Sequence, residues 1–227
     1  PTEIPADAPP RFRLPPQIRA TTFDSYAQIS ADIAPFFATE GTIEPGSALA
    51  DKIAEIGAQT TDRKERAALA TQFVQDEVSY LLNGLNGGNY IPQSPAETWE
   101  LRSGDCKAKS LLLLAMLREL GISAEAVLVQ SQTGDALPEQ LPTLTNFGHM
   151  IVRADIDGVP YWLDGTNGGL RATNMIEVPR FRYALPLREG GTDLQEMAMR
   201  PQAVPDQTVS IKIDQSAGVG LPAIYDV

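Results

Sequence analysis

Cys106 and His149 are the only thiol and the only imidazole in the chain. A thiol can attack a carbonyl carbon, and an imidazole is the side chain whose ordinary pKa suits proton transfer near neutral pH. Cys106 stands in Ser103-Gly104-Asp105-Cys106-Lys107, where the sequence predicts a helix start. A sulfur in a helix's first turn faces unpaired backbone N–H groups and the positive end of the dipole, which favour thiolate over thiol. Lys107 assists that preference and Asp105 opposes it. The Cys106 backbone N–H is also placed to donate to an oxyanion. Taken singly, each residue has a plainer reading: a small buried cysteine packing a helix end, and a histidine hydrogen-bonded within a sheet.

A third residue follows from strand register. His149–Ile156 reads as a strand, Asp157-Gly158 as a two-residue turn and Val159–Asp164 as the returning strand. With Ile156 facing Val159, the same register sets Ile151 opposite Asp164. His149 lies two residues from Ile151 and so on its face, a diagonal neighbour of Asp164 at about 7–8 Å along the backbone. A carboxylate there can orient the imidazole and stabilise its protonated form.

Other elements must bring Cys106 to this hairpin. Apolar spacing predicts helices over Thr22–Phe37 and Ser47–Ala58, and a longer one capped by Asp62, with Glu65 as return partner and Leu69, Phe73, Val74 and Val78 on its buried face. Asn83–Asn89 is a loop. Ser94-Pro95-Ala96-Glu97 opens a short helix expected to end at Ser103-Gly104. Asp105 caps the Cys106 helix, which runs to about Leu120 and stops at Gly121. Ala124–Gln130 reads as a buried strand, and Thr133–Thr145 as a loop. The expected division is an extended Pro-rich lead-in over 1–21, one domain over 22–191, and a tail or the start of a further β module over 192–227. Within that tail, Thr208–Ile213 alternates like a strand without an evident partner.

The net charge of −11 argues against nucleic acid or an anionic membrane surface as partner. No apolar run has the length of a membrane span. The chain begins at Pro1 rather than methionine, as a processed form or an excised domain would. With one cysteine no internal disulfide forms. No cofactor is expected. Cys, His and Asp together could hold zinc, but their spacing fits no closed zinc motif, and no metal is expected.

The stretches SPAETWELRSGDCKAKSLLLLAMLRELGISAEAVLV (Ser94–Val129), NFGHMIV (Asn146–Val152) and GVPYWLDGT (Gly158–Thr166) resemble, in order, the Gly-Asp-Cys helix start, aromatic-x-His strand and aromatic–Asp-x-Thr strand of the transglutaminase-like superfamily. More narrowly, the chain resembles bacterial multidomain proteins in which this core follows an N-terminal β-sandwich. The resemblance implies an α+β, papain-like fold in which a helix carrying the cysteine packs on an antiparallel sheet carrying histidine and aspartate. It implies Cys106, His149 and Asp164 as a catalytic triad, a protein or peptide substrate, and an extracytoplasmic, envelope-associated parent protein. Gly148 and Gly165 depart from the residues common beside the histidine and the aspartate in relatives. A second oxyanion donor upstream of Cys106 would be Gln93; Tyr90 and Trp99 read rather as core aromatics. No calcium loop of the Asp-x-Asp-x-Asp-Gly kind is present. The expected activity is thioester chemistry on amide or peptide bonds, with hydrolysis favoured over amine transfer if the site is open to water. The alternative is a protein- or peptide-binding module on the same fold.

Overall fold

The computed structural model describes residues 4, 5, 8, 12, 18–81, 90–172, 174–200, 208–218, 220 and 222–226. The expected loop at Asn83–Asn89 and most of the Pro-rich lead-in lie outside them. Helix α1 spans Tyr26–Ile33, shorter than expected, with Ser25 as its cap. Pro35, which has no N–H to donate, sits in the tightened turn Ala34–Phe37 that follows. α2 spans Ala48–Gln59, capped by Ser47. α3 spans Arg63–Glu77, and Asp62 accepts from the Lys64 and Glu65 N–H groups. The expected return bond from Glu65 is replaced: the Asp62 N–H donates to Thr60 Oγ1 at 3.1 Å. α3 buries Phe73, Val74 and Val78, together with Ala67, Ala68 and Ala70, whose small side chains permit close helix packing; Leu69 is only half-buried.

Strand β1 is the dipeptide Ser79–Tyr80. α4 spans Pro95–Leu101 and opens with the full reciprocal Ser94–Glu97 capping box. β2, Ser103–Gly104, pairs in parallel with β1, Tyr80 opposite Gly104. The end of α4 differs from expectation. Arg102, not a glycine, takes the left-handed conformation (φ 50°). Its guanidinium lies 3.8 Å over the Trp99 ring, which stacks on Phe73 at 5.4 Å, so the stacking offsets the backbone cost. Gly104 serves close approach instead: a Cβ there would stand 2.7 Å from Ala108 Cβ.

α5, Cys106–Glu119, is the central element, with every residue from Leu111 to Leu117 buried. Each fully buried leucine of that run contributes about 2 kcal/mol of apolar transfer. β3 (Ser123–Val129), β4 (His149–Ile156), β5 (Val159–Leu163), β6 (Tyr183–Pro186) and β7 (Gln195–Glu196) form one antiparallel sheet in the order β5-β4-β3-β6-β7. The turn is Asp157 (φ 55°) and Gly158 (φ 78°), the two positive φ values that a type I′ hairpin demands. Ile156 faces Val159 and Val152 faces Leu163.

Strand alternation gives the sheet two apolar faces. Met150, Val152, Ala154, Tyr161 and Leu163 join the helices in the main core. Val127, Val129, Ile151, Trp162, Ala184 and Met197 form a smaller cluster on the other face, with Phe181 against it. The sheet continues past residue 192: β7 pairs with β6, Met197 is fully buried, and Arg200 donates to the Pro160 carbonyl at 2.7 Å. Beyond it β8, Lys212–Asp214, pairs with β9, Ile224–Asp226, as a separate antiparallel hairpin, which supplies the partner the sequence did not reveal. Among the described residues no helix is long and apolar enough to cross a membrane. The architecture is α+β, with the cysteine helix packed on an antiparallel sheet.

Candidate active site

Asp105 builds the start of α5. Its Oδ1 accepts from the Lys107 and Ala108 N–H groups at 2.9 and 3.0 Å, and its carbonyl accepts from Lys109 N–H at 3.0 Å. Its Oδ2 takes the Lys107 ammonium at 2.5 Å. The opposing influences read from the sequence, Asp105 against and Lys107 for the thiolate, thus sit side by side as an ion pair. The Cys106 N–H is the backbone donor of this turn not committed to Asp105.

His149 is the first residue of β4, opposite Val129 on β3, and Asp164 directly follows β5. The structure brings the two together: His149 Nε2 lies 2.9 Å from Asp164 Oδ2. Asp164 is itself held on several sides. Oδ1 accepts from the Thr166 N–H at 2.8 Å and its hydroxyl at 2.7 Å. Oδ2 also accepts from Asn167 Nδ2 at 2.6 Å, and Gln75 Nε2 donates to the backbone carbonyl at 2.7 Å. Thr166 belongs to the sequence motif; Asn167 and Gln75 do not. With Nε2 given to Asp164, the other ring nitrogen is left for Cys106. The edge of the Phe181 ring packs against the imidazole, centroids 5.8 Å apart.

The electrostatics follow from that packing. Burial would lower the His149 pKa, but the hydrogen bonds to Asp164 and Cys106, and the attraction of both, raise it from 6.5 to about 9. Burial would raise the Asp164 pKa, and the His149 and Thr166 hydrogen bonds outweigh it, leaving that carboxyl below its ordinary value. At neutral pH this is an imidazolium–carboxylate pair within the electrostatic reach of the Cys106 sulfur.

Tyr80 is a site residue the sequence did not mark. The two-residue β1–β2 pairing sets it opposite Gly104, two positions before Cys106, and the cysteine side chain lies within electrostatic reach of its hydroxyl. Burial first, then the neighbouring Cys106 and Asp105, raises its pKa. Gln93 lies against Gly104, its Oε1 buried without a hydrogen-bond partner and 3.0 Å from where a Gly104 Cβ would stand. Tyr90 is exposed and Trp99 stacks on Phe73. The site is largely enclosed: Cys106 is 9% exposed and Asp164 6%.

Residues 48–157 match the family model described as the transglutaminase-like superfamily, a span that holds Cys106 and His149 and ends before Asp164. No curated protein matches the chain. Among solved structures, a candidate protease from Parabacteroides distasonis superposes with a TM-score of 0.58 at 16% identity, covering 80% of this chain and 32% of that one. A candidate cysteine protease from Cytophaga hutchinsonii gives 0.44 at 18% identity, over 69% of this chain and 46% of that one. Legionella pneumophila LapG gives 0.42 at 16% identity, over 70% and 83%. The chain therefore spans about a third of the length of the Parabacteroides protein, with which it shares the fold. The matched segment, which carries the cysteine helix and the start of the histidine strand, is similar to the transglutaminase-like superfamily over just under half of the chain.

Proposed function

We propose that the chain is a cysteine enzyme that cleaves amide or peptide bonds through a thioester on Cys106. The observation that carries this reading is the His149–Asp164 pair, held at 2.9 Å and protonated at neutral pH, beside the sole thiol. In the proposed cycle the Cys106 thiolate attacks the carbonyl carbon and its electrons move onto the oxygen. The Cys106 N–H receives that oxyanion, with Gln93 proposed as a second donor. As the intermediate collapses, the C–N bond breaks and the His149 imidazolium gives its proton to the departing amine, leaving the acyl thioester. Neutral His149 then takes a proton from water as it attacks the thioester. The acid is released, and thiolate and imidazolium are restored. Asp164 fixes the ring throughout.

A peptide or protein substrate fits the surroundings: Tyr80 and Leu81, exposed beside Gly104, offer apolar surface next to the nucleophile. Hydrolysis is favoured because water is the smallest second reactant and the easiest to admit beside a largely buried thiol, whereas amine transfer requires a second bound substrate. The test is a panel of glutaminyl and peptide amides assayed with and without a primary amine. Release of acid at a rate indifferent to the amine is the expected result. Amine-dependent product at the expense of acid would make the chain a transferase, and no Cys106-dependent turnover on any member would favour the binding-module alternative.

A further inference from the structure

Lys109 lies one helical turn beyond Cys106 on α5, is 1% exposed, and is among the largest fully buried side chains. Its neighbours from Leu111 to Leu117 are buried, apolar residues, so a leucine would fit this helix without the cost of desolvating an ammonium. The group is placed with care. Its Nζ donates to the carbonyl of Val78, the residue that ends α3 and immediately precedes β1. A Cβ on Gly165 would stand 3.8 Å from the Lys109 Cβ and carbonyl oxygen and 3.1 Å from Val74 Cγ1, so the turn that follows Asp164 rests directly on this part of α5. The charges facing the ammonium are Asp164, after β5, and Asp76, on α3. Burial lowers the Lys109 pKa, and these two carboxylates oppose the fall.

We propose that Lys109 is a positioning residue: its buried ammonium ties the strand that carries Tyr80 to the helix that carries Cys106, and sets a positive charge beside Asp164. The first part follows from connectivity, because Val78 is two residues from Tyr80, whose strand partner Gly104 lies two residues before the cysteine. The second follows from sign. Asp164 pairs with His149 and lies within the electrostatic reach of Lys109. Without Lys109 its negative charge falls on the imidazolium alone, which is then held more tightly. The other groups facing His149 are Cys106 and the uncharged Phe181 ring; those facing Tyr80 are Cys106, Asp105 and Asp164. The role as a catalytic aid rests on the proposed function; the tether and the charge do not.

The test uses Lys109→Gln, which keeps an N–H donor for Val78 and loses the charge, and Lys109→Met, which loses both. His149 is the only histidine, so its ring protons titrate in NMR without ambiguity. Both variants are expected to move the His149 midpoint upward, by roughly half a pH unit for one removed partly screened charge. Lys109→Met is further expected to slow alkylation of Cys106 by about tenfold through displacement of Tyr80, an effect Lys109→Gln largely spares. An unmoved His149 midpoint in both, with only a lower melting temperature, would make Lys109 a packing residue and overturn the proposal. Failure of both variants to fold would overturn it too, the lysine then being a requirement of the core. These readouts need no turnover, so failure to find a substrate would count against the catalytic reading and leave the Lys109 test intact.

Discussion

Cys106→Ala is expected to lower amide turnover by at least about 10³-fold while the protein stays folded. The side chain is small and 9% exposed at a helix start whose capping depends on Asp105, so its loss should cost about 1 kcal/mol. One further change should accompany it. Cys106 is one of the two side chains that raise His149, so the histidine should titrate below its native value of about 9 in the variant. Retained turnover in Cys106→Ala would remove the thioester mechanism. An unmoved histidine midpoint would mean that sulfur and imidazole do not meet.

Asp164→Asn should lower turnover by about 10²- to 10⁴-fold, because the imidazole loses the acceptor that fixes its tautomer. Thr166 N–H, Thr166 Oγ1 and Asn167 Nδ2 all donate to this carboxylate. An amide NH₂ in its place sets donor against donor, a mismatch worth about 1–3 kcal/mol. The stability difference should depend on pH in a defined sense. His149 is raised on folding, so its contribution is full below about 6.5 and is lost as pH rises through about 9. Asp164 is lowered on folding, so its contribution is present above 3.8 and is lost as pH falls through its folded value. The melting gap between native chain and variant should therefore be widest between pH about 4 and 6.5 and should narrow on both sides. A gap that fails to narrow as pH rises through about 9 or falls below about 4, with unaltered turnover, would make Asp164 an ordinary sheet residue.

The readable parts of the fold were those governed by local chemistry. Asp157-Gly158 can close a two-residue hairpin only with both φ positive, and that turn set the register that brings His149 to Asp164. Ser94 with Glu97, and Asp105 ahead of Cys106, specify helix starts through bonds within a few residues. What escaped depends on contacts far apart in the chain. β6 is four residues ending in proline, and only its pairing with β3 and β7 makes it a strand. β7, in the stretch expected to be tail, is two residues that exist because β6 is beside them. Arg102 adopts a glycine's backbone because Trp99 and Phe73 lie under its guanidinium. Tyr80 reaches Cys106 only through a two-residue parallel bridge, and nothing local distinguishes Lys109, which is buried, from Lys107, which is not.

Alkylation of Cys106, the sole thiol, in the native chain and in His149→Ala tests the proposed site most directly. Labelling by iodoacetamide at pH 7 should be at least about tenfold faster in the native chain than in the variant, because the imidazolium stabilises the attacking thiolate. Equal rates in the two proteins would contradict an assembled thiolate–imidazolium pair and leave the fold without the chemistry assigned to it.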